Sequence, residues 1–307
     1  MKKIFLSSLL VASGIFVSSG LIAQEELTVR GNVLYSDQVN ALKTPVPIIN
    51  VPVSVSIITD EEIARQGYQQ LGDLVRYTPG VSTSQGEGHR DAIVFRGNRS
   101  TADFFQDGVR DDVQYYRSLY NAEQVEILRG PNALLFGRGG TGGVINRVSK
   151  KSVLGETFGS FSIGSNTFGA YDFVADYNIS INEERSLRIM AHRDYLNNHR
   201  SYYDGDRAGF NPTLKVKMSD NTVLDVSYEY ADHQRFIDRG IPTGSNGEPV
   251  EALADIVFGH PELNTQTLTA DILRATITRD ISDTSKAIFS VTNNEFEKMY
   301  QNLYVAG

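Results

Sequence analysis

The sequence predicts an α+β domain followed by the first strands of an antiparallel transmembrane β-barrel, on three observations. Helix and strand signals are mixed up to about residue 152, and strict period-2 alternation takes over beyond Gly155. The joints between the later strands are then short and long largely in turn, as they are when alternate joints lie on opposite sides of a membrane.

The elements follow in order. Lys2 and Lys3 precede an apolar stretch, Ile4 to Val17, and Ala23 is the expected last residue of a cleaved export signal, with Gly20 as the alternative. The stretch is too short to span a bilayer as a helix, and no later run of about 20 apolar residues follows. Residues 24–43 contain a short extended segment, Glu25–Arg30, bounded by Gly31. In residues 44–152, Pro45, Pro47 and Pro52 lead into Val53–Ile58, which alternates as a strand does. Thr59-Asp-Glu-Glu62 is a capping box, and its helix should stop at Gly67. A second helix from Leu71 to Tyr77 should end before Pro79. Ala92–Phe95, Val125–Leu128 and Val144–Val148 read as strands, Asp107-Gly108 as a hairpin turn, and Pro131 as the start of a helical turn.

Residues 153–307 contain only strands. Tyr171, Phe173, Ala175, Tyr177 and Ile179 share one face, with Asp172, Asp176 and Asn178 on the other. Leu187, Ile189 and Ala191 alternate with Ser186, Arg188 and His192, and Phe210 to Met218 alternates with Asn211, Thr213, Lys215 and Lys217. Leu224, Val226, Tyr228 and Tyr230 continue the pattern, which is that of a barrel with a lipid-facing exterior and a polar interior. Asn182–Glu184, Ser219–Asn221 and Ser282–Ser285 are the expected short turns; Leu196–Gly209 and His233–Gln266 are the expected long loops. A soluble β-sandwich shares the period but not the alternation of joints. About seven strands and the start of an eighth fit into this length.

A net charge of −8 argues against nucleic acid as a partner, and the absence of cysteine removes disulfides, thiolate metal sites and cysteine nucleophiles. His89, His192, His199, His233 and His260 have no metal-ligand spacing. Gly137-Arg-Gly-Gly-Thr-Gly142 satisfies a dinucleotide fingerprint in letters only, because a strand and not a helix follows it. Its glycines are expected to let the domain pack closely on the barrel wall. No nucleophile–base–orienter set marks an enzyme.

Glu123-Gln-Val-Glu-Ile-Leu-Arg-Gly-Pro131, with Ala133–Asn146 after it, closely resembles the end of the plug in TonB-dependent siderophore receptors. Val94-Phe-Arg-Gly97, Phe105-Gln-Asp-Gly-Val-Arg110 and Asp73–Val81 resemble further plug motifs of that family, and Tyr115–Tyr120 is similar to its catecholate-type branch. The resemblance implies a plug inside a 22-stranded barrel, the size of plugged outer-membrane transporters. It implies that an iron(III)–siderophore complex is the ligand, with no covalently bound cofactor. It also implies that TonB, with its inner-membrane energising complex, pulls on a box near the N-terminus. Glu26, Leu27, Thr28, Val29 and Arg30 are the expected box, since an extended segment can add to a partner's sheet edge.

A ferric catecholate is anionic and aromatic, so cations and rings on loops are the candidate ligand set: Arg90, Arg99, Tyr115, Tyr116, Arg117, Tyr202 and Tyr203. Arg96, Glu126 and Arg129 are expected to pair across the seam between plug and barrel. Haem, cobalamin, carbohydrate or another iron complex is the alternative cargo, and a signalling receptor or a secreted β-rich binding protein without transport is the alternative class. Closing a full barrel requires well over 200 further residues, so the chain is expected to be a fragment, unable to transport alone.

Overall fold

The computed structural model describes residues 38–41, 46–84, 86–111, 113–131, 136–137, 139–140, 142–283 and 285–304. The expected export signal, the box Glu26–Arg30 and the helical turn after Pro131 lie outside the described residues.

The first part is built on three small sheets. β1 (Gln38–Val39) pairs antiparallel with β2 (Val46–Pro47). β3 (Ser54–Thr59) runs into α1 (Asp60–Gln66), where Thr59 Oγ1 accepts the Glu62 N–H at 3.3 Å and Gly67 closes the helix at φ 65°. α2 (Leu71–Val75) ends two residues before the expected Tyr77, because the Thr78 N–H turns back to Val75 O at 3.0 Å. β4 (Val81–Thr83), β5 (Ile93–Phe95) and β6 (Asn98–Ser100) form one sheet. β7 (Phe104–Gln106), β8 (Val109–Arg110), β9 (Ala122–Arg129) and β10 (Gly143–Ser149) join β3 in the order β3-β9-β10-β7-β8, with β10 and β7 parallel. Asp107-Gly108 makes the expected turn, with φ 51° and 76°.

Apolar side chains cover both faces of this larger sheet. Leu71, Leu74 and Val75 of α2 pack with Ile93, Phe95, Val125, Ile127 and Ile145. Val39, Phe105, Leu128, Phe136 and Val144 form a second cluster. Gly139 and Gly142, just before β10, pack against this domain and not the barrel wall. A Cβ on Gly142 would lie 2.8 Å from Phe95 Cβ and 3.2 Å from Asn98 Cβ, both within this domain. That corrects the expectation that they seat the plug on the barrel.

The second part is a seven-stranded antiparallel meander. It comprises β11 (Phe158–Ser165), β12 (Tyr171–Asn182), β13 (Arg185–Asn197), β14 (Asp204–Ser219), β15 (Thr222–Phe236), β16 (Thr265–Ser282) and β17 (Ser285–Gln301). Ser186, Arg188, Met190, His192 and Asp194 face the first domain and are buried, while Tyr171, Phe173, Tyr177 and Ile181 of β12 are exposed on the other side. The expected turns at Asn182–Glu184, Ser219–Asn221 and Ser282–Ser285 are all short joints. The outer loops are shorter than expected. Asn197 pairs with Asp204, and Phe236 with Thr265, leaving loops 198–203 and 237–264. Backbone pairing outlasts the apolar alternation there, because residues past the hydrocarbon level can be polar on both faces.

Candidate functional site

Two of the expected ligand residues lie inside the plug instead of on its surface. Arg117 is 1% exposed: its Nε donates to Asp111 Oδ2 at 2.8 Å, its Nη1 to Asp91 Oδ2 at 3.3 Å, and its Nη2 to Asp111 O and Val113 O. Its guanidinium lies 4.1 Å from the centre of the Phe104 ring. Tyr115 is buried beside it, and its hydroxyl donates to Asp111 Oδ2 at 3.0 Å. Arg147 completes the cluster from β10, reaching Asp111 Oδ2 at 3.1 Å and Gln106 Oε1 at 3.1 Å. Burial alone would raise the Asp111 carboxyl, but Arg117 and Arg147 together hold it below the usual range. For Asp91 burial wins over Arg117, and its pKa is raised. Such a cluster organises the plug and offers no open face to a ligand, so Tyr115 and Arg117 leave the ligand set.

The expected seam residues are also placed elsewhere. Glu126 is wholly buried and accepts from the Asn40 and Ala41 N–H groups at 2.6 and 2.7 Å, and from Gln124 Nε2 and Asn146 Nδ2. None of these partners is on the barrel: they lie in the plug or in the segment just before it. Arg129 donates to Pro79 O at 3.1 Å, again within the plug. Arg96 is an exposed turn residue between β5 and β6, at φ 46° with Gly97 at 89°. The seam is carried by groups that sequence reasoning missed or left as pattern. Arg188 of β13 grips Asp176 with two 2.7 Å bonds and reaches back to Lys151 O at 3.0 Å. Lys150 bonds Asp176 at 3.2 Å, Gln106 donates to Glu229 at 2.9 Å, and Arg274 donates to Gln106 at 2.8 Å. Tyr120 packs against His192 with ring centres 4.3 Å apart and planes tilted by 36°, a contact that Gly209 permits because a Cβ there would lie 2.8 Å from Tyr120 Oη. Gly209→Val is therefore expected to displace Tyr120, read as increased labelling of its phenol by a small water-soluble iodinating reagent.

Arg90 and Arg99 do come together. With Arg239 from loop 237–264 they line a cleft of about 260 Å³, alongside Ser84, Glu87 and Thr101. Arg90 pairs with Glu87 at 3.0 Å and bonds Gln114, while the Arg239 guanidinium lies 4.4 Å from the centre of the Tyr304 ring. Three guanidinium groups against one carboxylate make the cleft cationic, and it opens at the long-loop end of the strands. Nearby in the chain, Arg235 sits 4.3 Å from the Tyr116 ring centre and donates to Tyr203 Oη at 3.1 Å. Burial, opposed by Arg235, pushes the Tyr116 phenol up to about 12. Tyr202 is exposed at the tip of loop 198–203, with φ 64°. Arg235 and Arg239 carried no local signal, since Arg235 is brought here by the end of β15 and Arg239 by the tertiary path of the long loop.

His89, in the plug loop next to Arg90, is docked on β17. Its Nδ1 faces Lys298 Nζ at 2.8 Å, and its ring lies 4.0 Å from that of Tyr300. Burial, then Lys298 and Arg90, pushes its pKa from 6.5 down to about 4, against the opposing pull of Glu87. The folded state thus favours the neutral ring. Its contribution to stability is complete above about pH 6.5 and is lost as pH falls towards 4. His89→Asn keeps an acceptor for Lys298 and is expected to flatten the fall in apparent Tm across that window.

The chain matches the TonB-dependent Receptor Plug Domain family over residues 47–144. It is 32% identical over 205 residues to the "Probable TonB-dependent receptor BfrD" of Bordetella pertussis, covering 65% of this chain and 28% of that protein. It is 23% identical over 318 residues to the "Probable TonB-dependent siderophore receptor PiuA" of Acinetobacter baumannii, covering 96% of this chain and 43% of the other. The crystal structure of the ferric-catecholate import receptor Fiu from E. coli K12, in its open form, superposes with a TM-score of 0.78 at 21% identity, over 88% of this chain and 42% of that one. The chain thus spans less than half the length of the relatives it matches.

Proposed function

We propose that this chain, which belongs to the TonB-dependent receptors and supplies their plug and first barrel strands, serves uptake of anionic iron(III)–siderophore complexes across the outer membrane of a Gram-negative cell. The observation that carries the reading is the cleft of Arg90, Arg99 and Arg239 at the long-loop end of the plug. A tris-catecholate complex of iron(III) is a trianion with aromatic faces. Guanidinium groups meet both features, by charge-assisted hydrogen bonds and by stacking. Tyr116, Tyr203 and Tyr202 supply rings at the same end. Among the described residues no set of His, Asp or Glu converges as metal ligands, and in this reading the iron arrives already ligated by the siderophore.

Cargo held in the cleft passes inward when TonB and its inner-membrane energising complex pull on Glu26–Arg30 and loosen the plug. The polar seam suits such a movement. A neutral hydrogen bond such as Asn121–Asn211 can be exchanged for water at a net of about 1 kcal/mol, and one to a carboxylate such as Gln106–Glu229 at about 1.5–3 kcal/mol. A wall of interlocked apolar side chains would have no such substitute.

Arg90→Gln/Arg99→Gln/Arg239→Gln, in the full-length receptor, is expected to weaken binding of a ferric tris-catecholate by about 100-fold or more, since each bond to a charged group contributes about 1.5–3 kcal/mol. Binding of an uncharged or cationic ferric trihydroxamate should change by less than about threefold. Equal losses for the two complexes, measured with radiolabelled iron on outer membranes, would remove the cleft as the determinant.

A further inference from the structure

Arg239 reaches the cleft from a loop of 28 residues, 237–264, that runs between β15 and β16. A loop of that length costs conformational entropy to hold in one place, so something must fix the stretch that carries the guanidinium. The neighbouring loop provides it. Arg200, 11% exposed, donates through Nε and Nη2 to the Asp238 carboxylate, with the second bond at 3.0 Å. Its Nη1 donates to Ala254 O at 2.6 Å and its Nη2 also to Ile256 O at 3.0 Å. One side chain thus ties the start of the long loop to its middle and ties both to the adjacent outer loop.

Asp238 transmits that anchoring to the next residue. Its Oδ1 accepts the Gly240 N–H at 2.9 Å, bending the backbone around Arg239, and Gly240 takes φ 77° to complete the bend. The same residue meets the plug. Gly88 has φ 75°, and a Cβ there would lie 2.6 Å from Asp238 O, so the plug loop bearing Glu87 and Arg90 lies directly on the Asp238 backbone. Asp238 is therefore the point where the plug loop, the long loop and the Arg200 strut meet.

We infer that Arg200, acting through Asp238, is a positioning residue that sets Arg239 opposite Arg90 and Arg99 and so fixes the anion preference of the cleft. Arg200 itself is not among the residues lining the cleft. The inference rests on the cleft being the anion site proposed above.

The test is a double-mutant cycle in the full-length receptor, in outer membranes. The probe is iron(III) held by three 2,3-dihydroxybenzoyl groups, and a ferric trihydroxamate is the control. If Arg200 works through Arg239, Arg200→Gln and Arg239→Gln should each weaken tris-catecholate binding by about tenfold, and the double variant should be no more than about twofold weaker than Arg239→Gln. The trihydroxamate affinity should stay within about twofold in all three. Losses that multiply in the double variant, or that fall equally on both complexes, would overturn the inference. If Arg200→Gln fails to assemble, Asp238→Asn takes its place, keeping the acceptor for Gly240 but losing the charge that binds Arg200. It should show the same selective loss, and unchanged affinity in that variant would equally overturn the inference. A wild-type receptor that does not bind the tris-catecholate would overturn the cleft reading and this one together. A weakened Arg239→Gln beside an unaffected Arg200→Gln would overturn this one alone.

Discussion

Replacing Arg117 by methionine should destabilise the plug by about 3–5 kcal/mol, the usual range when one partner of a buried ion pair is removed. Methionine fills much of the volume and keeps the contact with Phe104, so the loss isolates charge and hydrogen bonding. What it leaves behind is two buried carboxylates, Asp91 and Asp111, with Arg147 as the remaining nearby cation. It also leaves Asp111 O, Val113 O and Tyr115 O without the guanidinium they share. Asp111 is held below its ordinary range in the folded state, so its share of stability is present above the unfolded carboxylate pKa and lost as pH falls through the folded one. In the variant that depression shrinks, so the gap between Arg117→Met and the parent should narrow on acidification. The urea midpoint for protease protection of the plug reads the effect directly.

Glu126→Ala should unfasten the segment at residues 38–41. The carboxylate gathers the Asn40 N–H, the Ala41 N–H, and the side-chain amides of Asn40, Gln124 and Asn146 in a site with no exposure to water. Alanine leaves these donors facing one another around a cavity, and an unsatisfied buried donor costs about 1–3 kcal/mol. Summed over the group, a loss of about 3–5 kcal/mol follows. Glu126→Gln keeps one acceptor oxygen and should lose less. Segment 38–41 lies about ten residues beyond Glu26–Arg30, the segment proposed above for TonB, so under that proposal this carboxylate is the first buried fastening, among the described residues, that tension would load. Amide hydrogen exchange at Asn40 and Ala41 should accelerate by about 100-fold in Glu126→Ala, since about 1.4 kcal/mol corresponds to tenfold. Unchanged protection there would mean that the segment is held by something else.

Much of the fold was legible for reasons that are local. α1 announced itself because Thr59 and Gly67 satisfy its two ends with their own chemistry. The faces of β12 to β15 were readable because each strand must offer apolar side chains to one side and polar ones to the other, and a strand cannot do so without period 2. Strand ends were misjudged where that demand stops. The ladder between β13 and β14 runs on to Asn197 and Asp204 through polar residues such as Asp206 and Arg207, which carry no apolar alternation.

The site was legible in part. Arg90 lies on a plug loop and Arg99 on the short strand β6 just after Gly97, and cations in such places are exposed unless something far away covers them. Arg117 looks the same in sequence, set among tyrosines, yet its carboxylate partners stand 6 and 26 residues upstream and draw it inside. Its counterpart Arg147 did carry a signal, as a lone charge within the apolar strand Val144–Val148. Glu126 sits in a similar apolar strand, but its partners are neutral amides and not the charges across the seam that its type suggests. Arg239 is placed by the fold of a 28-residue loop, and no spacing rule reaches that far.

The account depends on β11–β17 forming a wall with lipid on one side and a wet, plug-filled interior on the other. The chain contains no cysteine, so single cysteines placed along β12 and β13 report their own surroundings. In outer membranes, Phe173→Cys, Tyr177→Cys and Ile189→Cys should react with a lipid-soluble maleimide and resist a charged one. Ser186→Cys and Asp172→Cys should resist the lipid-soluble reagent, and reaction of all five with the charged maleimide alone would contradict the wall.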